Sequence, residues 1–478
     1  MENSRLRNKD FLIFLAERTF FVLFSVYAAL STCSLTFGNV IIGVVMWPSL
    51  LLGLALFTYR VINIKAYIKM PFCLIMILLM ASIGVSTLAN YQYEFKKNIV
   101  SCIYWLFFFF VLYVIKQDSD EEKIKKDFRF AAAVFTALIT FFVLMSFLVV
   151  AFGYNETLKA ENDFTYYIGF KIGRLWGVFL NLNRGAASVA VSSLLLVYFI
   201  KTIKKTWFRI IAGIAIFINL LYTALADSRT GALGFGLCFG FLAFFLLIYK
   251  LKDKKFWYKL LAVFCAALAF VAGYFLPIKM KSAYNSLMPM VYNAVHSNEE
   301  DQSGEDEADD KNRFLVERGY DLSDDISNRR FDVWKSGIEI LLNSKRNIII
   351  GTSFNGMLPY AKDNLPETYI VDNDFGIIGT MDNDFFNLLV GQGLLGISLF
   401  VILATGVVVL IFKYFGSVKP ENAFLLSVMR AVLFSIAGCS MFTSLVLYYL
   451  SQNAIIFWSF LGMSVLLLKP KKERLENE

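Results

Sequence analysis

Two aspartates and two asparagines crowd one short stretch, Met381-Asp-Asn-Asp-Phe-Phe-Asn387, directly before an apolar run carrying Gly391, Gly393 and Gly396. An ionised aspartate within reach of a hydroxyl can act as a general base, and Asp382 and Asp384 are the candidates. The plainer reading is capping, because Asp and Asn at a helix start satisfy orphan N–H groups and face the positive dipole end. Capping accounts for at least one of the two. Small residues just inside such a helix admit a neighbouring helix closely.

Arginine-bearing clusters supply the complementary charge. Arg174 opens Arg174-Leu-Trp-Gly-Val-Phe-Leu-Asn-Leu-Asn-Arg184, which contains Asn181 and Asn183 and runs straight into an apolar span. Arg229 lies in Asp227-Ser-Arg-Thr-Gly231, a turn inside otherwise nearly continuous hydrophobicity. Arg329 and Arg330 precede Trp334 and stand at a helix start, against the dipole preference. An arginine at bilayer depth costs roughly 2.5–3.5 kcal/mol on insertion scales, so it normally has a partner or a task. Snorkelling or a local pair with Asp227 is the bland account of Arg229, and interface anchoring that of Arg174 and Arg184. Taken together, these guanidinium groups suit a phosphate or diphosphate held at a membrane surface. The single histidine, His296, sits beside the acidic block 299–310 and reads as a surface residue in a solvated segment.

The elements that must position these residues are membrane helices. Hydrophobic residues make up 58% of the chain and charged ones only 18%, with 49 Phe; a soluble domain has about a quarter charged. Apolar runs predict about twelve spans, each near the length a bilayer needs: 14–34, 38–58, 70–89, 98–115, 130–152, 185–200, 207–226, 231–249, 257–276, 385–412, 431–450 and 453–468. The expected class is an all-α polytopic membrane protein. A bundle of nine spans fills 1–276, a large, partly helical extracytoplasmic loop 277–384, and three spans with a tail 385–478. The first run lacks a small-residue cleavage site and reads as a retained anchor.

The net charge of +8 could suggest nucleic acid, but the basic residues fall in alternate short loops. The positive-inside rule then places both termini in the cytoplasm and leaves no nucleic-acid partner. The six cysteines lie in or beside apolar runs, which supports neither a disulfide framework nor a zinc site. Within the late loop, 328–342 predicts an amphipathic helix with Phe331, Trp334, Ile338 and Leu341–Leu342 on one face. Asn347-Ile-Ile-Ile-Gly351 predicts a short buried strand or the start of a turn. Asp372-Asn373-Asp374-Phe375 nearly duplicates Asp382–Phe385 and offers a second register.

In chain order these clusters resemble the O-antigen ligase and O-antigen polymerase superfamily of bacterial polysaccharide assembly. The likeness covers roughly 170–400 and rests on Arg174, Gly177, Phe179, Asn181 and Asn183, then Ser228, Arg229 and Gly231, then Arg330, Trp334, Gly351, Asn383, Gly393 and Gly396. Leu182 stands where the family commonly has proline, and Asp382 where it has histidine. The resemblance implies a glycosyltransferase in the bacterial cytoplasmic membrane, working on its outer face with glycan linked to undecaprenyl diphosphate. It implies no cofactor or metal, an acceptor glycan, and flippase and chain-length regulator proteins as further partners. On that reading Arg174 and Arg229 clamp the diphosphate and Asp382 deprotonates the acceptor hydroxyl, so that transfer inverts the anomeric carbon. Arg330, Arg184, Asn181, Asn183, Asn383, Asp384 and Trp334 bind substrate. A repeat-unit polymerase is favoured over a ligase. A flippase or transporter would instead call for charges in the bundle midplane and an internal repeat, neither of which the sequence displays.

Overall fold

A computed structural model of the chain describes all residues except 1, 65–66, 68–69, 115–120, 160–164, 296–314, 318–328, 374–377, 416–417 and 469–478. His296, the acidic block 299–310, and Asp374 and Phe375 of the second register lie outside the described residues. The chain is an all-α polytopic membrane protein. Ten helices are long and apolar enough to cross a membrane, and two shorter apolar ones, Cys73–Ala89 and Gln452–Leu468, join them among the described residues.

The first half runs up and down through α1 (Glu2–Ser31), α2 (Ile41–Ile62), α3 (Cys73–Ala89), α4 (Phe95–Phe107) and α5 (Glu121–Ala151). Phenylalanines knit it: Phe20, Phe24 and Phe107 are fully buried and meet edge to face or stacked, geometries that add to the burial of large apolar rings. Two short antiparallel hairpins follow, β1 (Thr157–Lys159) with β2 (Thr165–Tyr167), and β3 (Gly169–Lys171) with β4 (Arg174–Gly177). This strand content was not expected from the sequence.

Next come α6 (Leu182–Thr202), α7 (Thr206–Leu225), α8 (Arg229–Lys250) and α9 (Phe256–Val295). Helix α9 continues well beyond 276, through Pro277 and Pro289, so the stretch expected to begin the polar loop is still helical. The later segment forms α10 (Arg330–Leu342), α11 (Lys345–Ile350) and α12 (Met357–Asn364). The amphipathic helix exists, but its buried side is Val333, Ser336, Gly337, Ile340 and Leu341. Phe331 and Leu342 are exposed. Residues 347–350 are helical rather than extended, because the Ser344 side chain caps the turn by accepting from Asn347 N.

The bundle closes with α13 (Asp384–Lys413), α14 (Pro420–Cys439) and α15 (Gln452–Leu468). Helix α13 breaks at Gly393, whose φ of 63° leaves the helical region. The break frees carbonyls that need donors. Thr352 N reaches Val390 O at 3.0 Å, Ser353 N reaches Gly391 O at 3.0 Å, and Ser86 Oγ reaches Gly391 O at 2.7 Å. The approach is possible because Gly351 and Gly393 lack side chains: a Cβ on Gly393 would fall 2.4 Å from the Ile349 carbonyl carbon.

One expected span is corrected. The run 431–450 is not a single helix: α14 starts at Pro420 and stops at Cys439, and 440–451 is an irregular, mostly buried connection. Pro at the first helical position explains the early start. The stop follows from competing partners. The Ser440 and Met441 carbonyls, next after the helix, accept from Asp384 N and Asn383 Nδ2, and Leu445 N and Val446 N donate to Asp384, so none of these groups serves a helical ladder. Hydropathy cannot register that choice.

Candidate functional site

The candidate residues come from helix starts, turns and connections at one end of the bundle. Each is fixed by local chemistry. Asn181 accepts from Arg184 N at 3.0 Å and so caps α6. Ser228 caps α8 by accepting from Gly231 N at 3.1 Å. Asn383 caps α13 with 2.8 and 3.1 Å bonds from Phe385 N and Phe386 N. These side-chain acceptors satisfy N–H groups that a helix start leaves open.

Arg174 and Arg229 share a turn. The Arg174 Nε donates to Ala226 O at 2.9 Å and an Nη to Asp227 O at 3.2 Å, so β4 is pinned to the residues just before α8. Three positions on from Ala226, Arg229 faces a cavity of about 200 Å³ with Asp227, Ser228, Tyr274 and Lys281 among its lining residues. Lys281 Nζ lies 3.0 Å from Asp227 Oδ1. The same turn reaches α6, because Ser228 Oγ donates to Asn183 Oδ1 at 2.9 Å.

Next to Asn183, Arg184 leads to the second half of the site. Its guanidinium carbon sits 4.1 Å from the Tyr449 ring centroid, a cation–π contact. Burial raises the Tyr449 hydroxyl above its usual pKa, the Arg184 charge and a hydrogen bond from it pull the other way, and the Asp382 carboxylate raises it again. Arg184 and Asp382 therefore act on one phenol. Tyr166, also raised by burial and pulled down by Arg184, stands on the same side. Asp382 is half-buried, has a φ of 47°, and donates its N–H to Thr380 Oγ1 at 2.9 Å. That left-handed backbone suits Asp and Asn among non-glycine residues.

Asp384 and its neighbours hold this end together. Asp384 is 2% exposed. Its Oδ2 accepts from Leu445 N at 2.8 Å and Val446 N at 2.7 Å, and its own N–H donates to Ser440 O. Asn383 Nδ2 donates to Met441 O at 2.9 Å, and Asn387 Nδ2 to Ser444 Oγ at 2.7 Å. Trp334 Nε1 donates to Met381 O at 2.9 Å while its ring stacks on Phe386 at 5.0 Å. These contacts tie Asn181, Asn383, Asp384 and Trp334, the residues expected to bind substrate, into the framework at this end of the bundle. Arg330 is placed 6.0 Å from the Phe442 ring centroid, on the same connection.

Two residues at this end of the bundle, Tyr449 and Lys281, escaped the motif reading. Tyr449 and the 440–451 connection were hidden in an apolar run; the hydroxyl-rich Ser440, Thr443 and Ser444 were the only signal. Lys281 was assigned to a loop, although Tyr274, Ile278 and Lys281 have helical spacing. Among the described residues no group of three or more His, Cys, Asp or Glu is placed to hold a metal ion.

Residues 214–401 match the family model described as O-antigen ligase. The match takes in Arg229, Lys281, Trp334 and Asp382, whereas Arg174, Arg184 and Tyr449 fall outside it. No curated protein matches the chain.

Proposed function

We infer that this chain, a membrane enzyme of the O-antigen ligase and polymerase superfamily by its domain at residues 214–401, is a repeat-unit polymerase. Its donor is glycan linked to undecaprenyl diphosphate on the outer face of the cytoplasmic membrane, and its product a capsule, exopolysaccharide or O-antigen chain. The observation that carries this reading is the turn 226–229. It holds Arg174 on its carbonyls, turns Arg229 into a cavity shared with Lys281, and reaches Arg184 through Asn183.

Breaking the bond between the anomeric carbon and the diphosphate oxygen leaves negative charge on the leaving group. Preorganised cations lower that barrier most when they need not reorganise. Arg174 is already fixed by two backbone carbonyls, and Arg229 lies one residue past the Ser228 cap. Asp382, half-buried at the foot of α13, takes the proton of the acceptor sugar hydroxyl as that oxygen attacks the anomeric carbon. The bond to diphosphate breaks on the opposite face, so configuration inverts. Cationic side chains do the work a metal would otherwise do. The lipid tail lies among the phenylalanine-rich helices.

A second reading, transfer of finished glycan to a lipid, wall or protein acceptor, is favoured by the ligase description of the matching family. Purified protein supplied with lipid-linked repeat units separates the two. A ladder of lengthening glycan is expected, with the ladder lost in Arg229→Ala. Product formed only after adding a separate acceptor would select the ligase, and a full ladder from Arg229→Ala would remove the clamp.

A further inference from the structure

Lys281 belongs to no motif, yet it sits in the cavity beside Arg229. Helix α9 rises about 37 Å from Phe256 to Lys281 at 1.5 Å per residue, more than the ~30 Å hydrocarbon thickness. The ammonium therefore emerges at the end of the bundle that carries the turn 226–229. Gly273 sets the approach: a Cβ there would lie 2.8 Å from Phe235 O and 3.1 Å from Gly236 Cα, so α8 and α9 touch backbone to backbone. Beyond that contact Tyr274, Pro277, Ile278 and Lys281 follow along one side of α9 and face Asp227, Ser228 and Arg229 across the cavity.

Asp227 is an odd resident for a cavity that would take an anion. Its carbonyl accepts from Arg174 and its carboxylate from Lys281, at 3.2 and 3.0 Å. The Lys281 and Asp227 side chains are 27% and 18% exposed. Water reaches part of the pair and screens part of its attraction, and a flexible ammonium stem can change partners.

We propose that Lys281 is a donor-binding residue parked on Asp227, which it exchanges for the diphosphate when the lipid-linked donor enters the cavity. Asp227 then competes for the same ammonium and sets how tightly donor is held and how fast the lipid diphosphate product leaves. No bond is made or broken in the exchange. The inference rests on the donor chemistry proposed above.

The test uses the full chain in nanodiscs of uncharged lipid, titrated with farnesyl diphosphate and, separately, with inorganic pyrophosphate. Lys281→Ala is expected to weaken farnesyl diphosphate binding about tenfold or more, Lys281→Arg to stay near wild type, and Asp227→Asn to bind several-fold tighter with slower release. Asparagine tolerates the left-handed φ of 44° at this position. Binding that Lys281→Ala and Asp227→Asn leave unaltered, in protein of unchanged melting temperature, overturns the exchange and spares the donor reading. Should Lys281→Ala fail to fold, Asp227→Asn decides alone: affinity equal to or below wild type overturns the exchange. Wild-type protein that binds neither probe overturns the donor reading and the exchange with it. Equal affinity for the two probes supports the exchange and overturns a lipid-borne occupant in favour of a free diphosphate.

Discussion

The Arg184 guanidinium stands 4.1 Å from the ring centroid of Tyr449, joining the start of α6 to the irregular connection after α14. Its Nε is buried without a hydrogen-bond partner, so the aromatic face carries much of its orientation. A cation–π contact contributes about 0.5–2 kcal/mol, depending on desolvation. Tyr449→Leu is expected to lower glycan transfer by roughly tenfold, while Tyr449→Phe, which keeps the ring, retains most of it. Steady-state transfer on both variants checks this; equal loss in both would assign the effect to the hydroxyl instead.

Asp382→Asn isolates the proposed base. The amide keeps a side chain suited to a φ of 47°, so the backbone at the foot of α13 should hold. General-base catalysis is worth about 10²–10⁴ in rate, and turnover is expected to fall within that range with melting temperature unchanged. Wild-type turnover would leave Asp382 a structural residue.

The break in α13 has a stability signature. At Gly393 a side chain meets the Ile349 carbonyl and a positive φ together, so Gly393→Ala is expected to destabilise by about 1–3 kcal/mol. Gly43→Ala is the control: nothing lies within 4 Å of a Cβ there, and alanine inside a helix gains about 0.5–1 kcal/mol over glycine. Thermal unfolding in detergent should move in opposite directions. A neutral Gly393→Ala would show that the two backbones can part.

Arg430 presents a different case. It is 2% exposed within α14, and its Nε and Nη2 have no hydrogen-bond partner. The Phe415 and Phe245 rings flank its guanidinium, with centroids 5.1 and 5.7 Å away. A buried charge with so little compensation usually weakens the fold it sits in. Arg430→Met is therefore expected to insert normally and to unfold at the same or a higher temperature. A clear drop in melting temperature would mean that the guanidinium has a partner in the bilayer.

Much of the architecture is written in the amino-acid sequence. A span is dictated by local hydropathy over about 20 residues, so every expected run but 431–450 corresponds to a helix, and the Asp/Asn stretch that holds the Asn383 cap announced the start of α13 by residue type alone. The superfamily likeness was legible too, because the order of Arg174, Arg229 and Trp334 survives in the primary structure.

What tertiary structure alone decided is which polar atoms meet. Asp384 was legible as a polar candidate, but that two backbone N–H groups more than sixty positions away donate to its Oδ2 was not. Tyr449 looked like bilayer, yet α14 ends at Cys439 and the irregular connection after it places the ring against Arg184. Lys281 looked like loop, yet a glycine contact carries α9 up to Asp227. Hydropathy is a property of neighbours along the chain, whereas a hydrogen bond is a choice among partners brought together by folding.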